Sequence, residues 1–291
     1  MTPLWLVFIT IIIFAFLVIL VKLSMGGFET FITNSVDLLY ISRSFNNYID
    51  SIHPNMYPIK INGCSKHISK LEFRKLYQSH IRDLPNSKKQ LLKNYTNYID
   101  SLLEPYHSIK NIRWKFAISK NGLEMNMPFT LADYIILPED FINRIGSSID
   151  QSIATTLLHE KIHILQRYNQ EHFTKFYISS SNMPSIKVYY GEIPEKISMT
   201  HMNNPDSNCI YYVYRFGGIS YLPLLVYNGT IVERGYNTID FRENMDLYKL
   251  GLYYKKGLYH PNEMIAYSLS HSLINKKPVD LDLSNFIKSL I

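Results

Sequence analysis

The longest apolar run in the chain comes first. Leu4 to Val21 reads LWLVFITIIIFAFLVILV, without a charge and with Thr10 as its one polar residue. At a rise of about 1.5 Å per residue, about 18 to 20 such residues cross a hydrocarbon core of about 30 Å. The run is longer than a signal-peptide core, and no basic side chain precedes it in Met1-Thr2-Pro3. An uncleaved, single-pass N-terminal membrane anchor is therefore expected, since no later run approaches this length. Its orientation stays open. Lys22 points to a cytosolic C-terminal part, whereas the triplets Asn94-Tyr95-Thr96 and Asn228-Gly229-Thr230 point the other way.

Beyond the anchor the apolar spacing turns helical. Phe28 to Ile52 forms a loose helical pattern ending before His53-Pro54. Two helices follow, Lys66 to Arg82 with Leu71, Leu76, Tyr77 and Ile81 inward, and Asn86 to Leu103 with Leu91, Leu92, Tyr95, Tyr98, Ile99, Leu102 and Leu103 inward. Pro85 precedes the second and Pro105 stops it. The period then changes to two. Ile112 to Ile118 alternates, Asn121-Gly122 signals a hairpin turn, and Leu123 to Phe129 is the returning strand. Tyr134 to Leu137 is a further strand, and Pro138 opens a short helix. Ser148 and Gln151 make a capping box for a helix from Ile149 to Tyr168. Strands at Ile210 to Tyr214 and Leu222 to Val226 and a last helix from Pro261 to Ile274 complete the pattern. The class is α+β. The chain divides into an anchor (1–27), a helical juxtamembrane region (28–105) and a mixed region (106–291).

Composition narrows the function. Hydrophobic residues are 46% and charged residues 19%, which suits a folded chain and excludes wholesale disorder. Cys64 and Cys209 are the only cysteines, too few for a disulfide scaffold or a four-cysteine zinc site. The net charge of +6 is too small to argue for nucleic acid. Most of the surplus lies in the 66–93 stretch, where Lys66, Lys70, Arg74, Lys75, Arg82, Lys88, Lys89 and Lys93 face only Glu72 and Asp83. This is a solvated helix face or, on a sharper reading, a patch for lipid headgroups or a partner.

The chemistry lies in His159-Glu160-Lys161-Ile162-His163, an HExxH motif. Histidines at i and i+4 stand one turn apart on one face, so both imidazoles can reach one ion. The glutamate beside the first histidine is free to act as a base on a water that zinc acidifies. The flanks support a helix: Ile153, Leu157, Leu158, Ile162 and Leu165 form an apolar stripe without Pro or Gly. A catalytic zinc needs a third protein ligand. The extended form of the motif is absent, because Gln166 and Asn169 stand where it has glycine and histidine. Glu263, at the start of the last helix in His260-Pro261-Asn262-Glu263-Met264-Ile265-Ala266-Tyr267, is the first choice, with Glu233, Asp240, Glu243 and His260 as rivals.

HEKIH with a downstream glutamate on a helix resembles the gluzincin branch of zinc metallopeptidases. The HPNEMIAY segment resembles uncharacterised gluzincin-like proteins of large DNA viruses. The likeness spans roughly Trp114 to Ser272. It implies a zincin-like catalytic domain over 106–291, Zn2+ held by His159, His163 and Glu263, and Glu160 as general base. It also implies a Tyr or His that stabilises the oxyanion, for which Tyr267 and His271 are candidates and His260 another. Leu123 to Phe129 takes the place of the substrate-pairing edge strand. The expected function is membrane-anchored hydrolysis of peptide or protein substrates. The alternative is a non-catalytic, membrane-bound structural or receptor-binding protein on the same fold.

Overall fold

The computed structural model describes residues 42–180, 185–190, 199, 202–207, 210–216, 219–221, 225–226, 235–236 and 260–290. The helices among them are α1 (Arg43–Ser51), α2 (Tyr57–Lys60), α3 (Lys70–Ser79), α4 (Asn86–Leu102), α5 (His107–Lys110), α6 (Glu139–Arg144), α7 (Gln151–Tyr168), α8 (Gln170–Ser179), α9 (Pro261–Ile274) and α10 (Leu281–Ser289). The strands are β1 (Ile81–Asp83), β2 (Phe116–Ser119), β3 (Phe129–Leu131), β4 (Tyr134–Pro138), β5 (Ser185–Tyr189), β6 (Tyr211–Phe216), β7 (Ile219–Tyr221), β8 (Leu225–Val226) and β9 (Gly235–Tyr236).

A four-stranded sheet runs in the order β1-β2-β4-β3. Its central pair, β2 and β4, is parallel, and both outer strands are antiparallel to their neighbours. Every residue of the central pair is buried, because helices cover both faces. The two-residue period divides the side chains between two cores. Phe116, Ile118, Ile135 and Leu137 join α4, α7 and α9. Ala117 and Ile136 join Phe45, Ile49, Tyr57, Phe73 and Tyr77 of α1, α2 and α3. This double burial is why Tyr134-Ile135-Ile136-Leu137 reads as an unbroken apolar run. Residues 43–83 are integral to the same architecture: Ile81 of β1 pairs with Ser119, and Asp83 with Ala117.

Helix boundaries follow local capping. Ser69 and Glu72 form a capping box on α3. That helix buries Phe73 and Tyr77, while Leu71, expected inward, is 60% exposed. Asp150 caps α7, accepting from the amides of Ser152 and Ile153, in place of the expected Ser148 box. The turn at Asn121-Gly122 exists, but not as a hairpin. Gly122 has φ +95° and its carbonyl accepts from the Asn62 amide at 2.8 Å. A Cβ there would meet the Asn62 Cβ at 3.1 Å. The chain then enters a 3-10 turn, Glu124–Asn126, because β2 has already taken β1 and β4 as partners. Besides the single turns α2 and α5, two longer helices, α8 and α10, had no counterpart in the sequence reading. They pack through Phe286, stacked on Phe176 at 4.2 Å and edge-on to Phe173 at 4.9 Å.

The expected fold, a zincin-like metallopeptidase domain behind an N-terminal transmembrane helix, is corrected. The class is α+β, but among the described residues no helix is long and apolar enough to cross a membrane. The run Leu4 to Val21 lies outside them. A five-residue motif fixes one turn of helix and carries no information about the sheet around it.

Candidate metal centre

The motif helix α7 is buried along most of its length, from Ile153 and Ala154 through Leu157 to Gln166. Helix α9 packs directly against it, and Ala266, fully buried, allows the close approach. His260 caps α9 and Pro261 fills its first position. Glu263 therefore lies in the first turn, aimed back at α7.

The three expected donors converge. The Nε2 atoms of His159 and His163 are 2.9 Å apart. Glu263 Oε2 lies 3.3 Å from His159 Nε2, and Glu263 Oε1 lies 3.5 Å from His163 Nε2. One ligand atom from each residue falls within 4.8 Å of the others, so this buried trio can hold a metal ion.

Hydrogen bonding shows that the donor set fits a cation. Gln166 Nε2 donates to the Asn262 carbonyl at 2.9 Å and to Tyr177 Oη at 3.3 Å. Its Oε1 therefore faces His163 Nδ1, at 2.8 Å, and accepts a hydrogen bond from the Nδ1–H. In a neutral His163 this leaves the Nε2 lone pair turned toward His159 and Glu263. Two buried polar atoms here have no partner, His159 Nδ1 and Glu160 Oε2. Lone pairs and a carboxylate aimed at one point repel unless a positive charge lies among them.

In the metal-free chain a proton on His163 supplies that positive charge. Burial pulls the His163 imidazole down, but Glu263 and then Asp206 outweigh it and raise the pKa to about 10. Burial also opposes ionisation of Glu263, yet His163 and His159 hold that carboxyl well below its usual range. Burial, followed by the charge on His163, lowers His159. Glu160 is pushed well up, first by burial and then by Asp206.

Of the other candidates, Tyr267 adjoins this group. The Tyr267 ring lies 4.3 Å from that of His159, tilted by 49°. His271 is not brought to the group. It lies eight residues along α9 from Glu263, roughly 12 Å on the helix axis, and its ring meets Asn275 Nδ2 at 3.2 Å and Lys277 Nζ at 3.3 Å. His260 has both nitrogens engaged, Nδ1 by the Asn262 amide and Nε2 by the Ile210 carbonyl, and burial lowers its pKa to about 4. Glu233, Asp240 and Glu243 lie outside the described residues. Leu123 to Phe129 does not form the edge strand; that place belongs to β3. Its Thr130 amide and hydroxyl are bonded by Asp206, and Arg167 donates to the Ala132 carbonyl.

Sequence reasoning missed Gln166, Tyr177, Asn204, Asp206 and Asn262. Gln166 had a readable signal, three residues beyond a ligand histidine on a helix. Asn262 adjoins Glu263. Asn204, which donates to Glu263 Oε1 at 2.7 Å, and Asp206 reach the site only through tertiary folding.

No family model matches the chain, no curated protein matches it, and no solved structure does. The comparisons thus lend the expected zincin-like fold no support, and the fold stands as the α+β arrangement described above.

Proposed function

We propose that this chain is a zinc-dependent hydrolase of peptide bonds. One observation carries the reading. His159, His163 and Glu263 converge on a point, and the next residue along from the first histidine, Glu160, is a buried carboxylate with an unpartnered oxygen. Two imidazoles and one carboxylate are a set that suits zinc, and three protein ligands leave a position open for chemistry.

His159 and His163 would hold the ion through Nε2, and Glu263 through its carboxylate. Zinc, when bound, supplies Lewis-acid polarisation of the scissile carbonyl and makes a water more acidic. Glu160 takes a proton from the attacking water and gives one to the departing amine nitrogen. Gln166 fixes the His163 ring and ties it to the backbone beside Glu263. Tyr267, against His159, is the candidate for the carbonyl oxygen.

A second reading has one observation in its favour. His159, Glu160, His163 and Glu263 are only 7%, 4%, 0% and 5% exposed, as suits a chain that holds a metal without turning over substrate. Elemental analysis and a peptide library separate the two. About one zinc per chain with cleavage that Glu160→Gln abolishes supports the hydrolase. Zinc without cleavage selects the second reading, and no stoichiometric metal sinks both.

A further inference from the structure

We propose that Asn204 is the positioning residue of the Glu263 carboxylate, and that the buried ion pair Lys60–Glu124 holds it in place. The proposal rests on the metal-holding reading of His159, His163 and Glu263.

The starting point is a pair whose cost needs a reason. Lys60 and Glu124 are 2% and 4% exposed, and their charged atoms meet at 2.7 Å. Removing two charges from water is expensive, and well-packed apolar residues often stabilise a core as well or better. The backbone at Glu124 adds to the cost. Glu124, Met125 and Asn126 have φ values of 46°, 56° and 58°, a left-handed run that side chains bearing a Cβ rarely adopt. The pair is thus better understood by what it holds.

Lys60 Nζ also donates to the Asn203 carbonyl at 2.5 Å. The Asn203 side chain is tied as well: Nδ2 donates to Ser51 O at 2.7 Å and to Ser51 Oγ at 2.8 Å, and Oδ1 accepts from Tyr211 Oη at 2.9 Å. Both ends of this residue are fixed by α1, α2 and β6. The next residue is Asn204. Its Oδ1 accepts the Asp206 amide proton at 2.9 Å, which sets the orientation of the side-chain amide. Its Nδ2 must then face Glu263 Oε1, and it donates there at 2.7 Å. That bond fixes the twist of the carboxylate, with Oε1 on the His163 side and Oε2 on the His159 side. A chain of fixed contacts therefore runs from α2, more than 200 residues away in sequence by number (60 against 263), to one donor of the trio.

The test uses the full chain, with zinc in a chelator competition and cobalt(II) as a spectroscopic probe of ligand geometry. Asn204→Ala is expected to weaken zinc binding by about 10- to 100-fold, the usual loss when a ligand's hydrogen-bonding partner is removed. Its cobalt absorption bands should shift, while its metal-free thermal midpoint stays near that of the parent. Lys60→Met combined with Glu124→Gln removes both charges at similar volume, and should weaken zinc in the same direction by up to about 10-fold. Should that variant not fold, Tyr48→Phe is read instead, since Tyr48 Oη donates to Glu124 Oε1 and to the Asn203 carbonyl. Parental affinity and cobalt spectrum in folded Asn204→Ala overturn the proposal while leaving the metal reading intact. Parental affinity in the distal variant overturns the anchoring by Lys60 and Glu124. If the unaltered chain takes up no zinc, both readings fail together.

Discussion

Around Glu124, every charged oxygen has met a donor. Oε1 accepts from Tyr48 and Tyr77 Oη at 2.5 and 2.8 Å, and Oε2 from Lys60 at 2.7 Å. Around Glu263, Oε1 likewise accepts from Asn204 Nδ2 at 2.7 Å, but the neighbours are less complete. Two imidazole nitrogens and a carboxylate crowd together, and His159 Nδ1 and Glu160 Oε2 have no partner. Both clusters are buried, so both sit where an unsatisfied polar group costs most. The first is complete with the chain's own atoms and serves structure. The second leaves two buried polar atoms unmet beside a trio that can hold a metal ion. Burial and charge alone would rank the two alike; the count of donors against acceptors separates them.

The largest effect expected concerns the atom with no partner. Glu160→Gln should leave metal content unchanged and lower peptide cleavage by about 10²- to 10⁴-fold, the usual contribution of a general base. Equal turnover in the variant removes Glu160 from the mechanism and makes its unpartnered oxygen an accident of packing.

Next in size is a double dissociation. Lys60→Ala leaves the Glu124 carboxylate buried without its counter-charge, which should cost about 3–5 kcal/mol of stability. His159→Ala should abolish metal binding but cost far less in the metal-free chain, because burial already disfavours a charge on that imidazole. Denaturant unfolding with and without zinc checks both. A His159→Ala chain as unstable as Lys60→Ala erases the distinction between the clusters. Zinc at about 100 times its dissociation constant should in turn stabilise the parent chain by about 2.7 kcal/mol. The same addition should leave the unfolding midpoint of His159→Ala unmoved.

The sequence disclosed the two clusters unequally, for a physical reason. His159, Glu160 and His163 were legible because a helix turns their spacing into a shared face, and the helix itself was legible from its apolar stripe. Glu263 could be picked out by its helical surroundings and Pro261. The helix Asn86–Leu102 was similarly plain, bounded by Pro85. Nothing marked Glu124, whose three donors come from residues 48, 60 and 77. Its left-handed turn also defeated the hairpin reading of Asn121-Gly122, since strand partners are chosen by the whole sheet rather than by the nearest turn. Leu71 went to solvent because Phe73 and Tyr77 already supply the buried face of α3. The residues missed around the trio, Asn204 and Asp206 above all, approach from a segment that no spacing rule connects to HEKIH.

The smallest effect expected lies outside both clusters, at the start of the helix that carries the histidines. Asp150 Oδ1 accepts from Ser152 Oγ and the Ser152 amide, both at 2.7 Å, and from the Ile153 amide at 3.3 Å. The Ser152 hydroxyl, followed by the two amides, holds its carboxyl below the usual range. A depressed folded pKa contributes stability that is present above the unfolded value, about 3.9, and is lost as pH falls through the folded value. Asp150→Asn keeps an equally good cap but cannot titrate. The variant should match the parent near neutral pH and lose less stability than the parent below about pH 4. Thermal midpoints of the two chains from neutral to acid pH read the difference. If their acid limbs coincide, the acid sensitivity does not come from this cap. It then belongs to carboxylates elsewhere, and the comparison of the two clusters extends to acid unfolding, with each cluster's variants as the next chains to titrate.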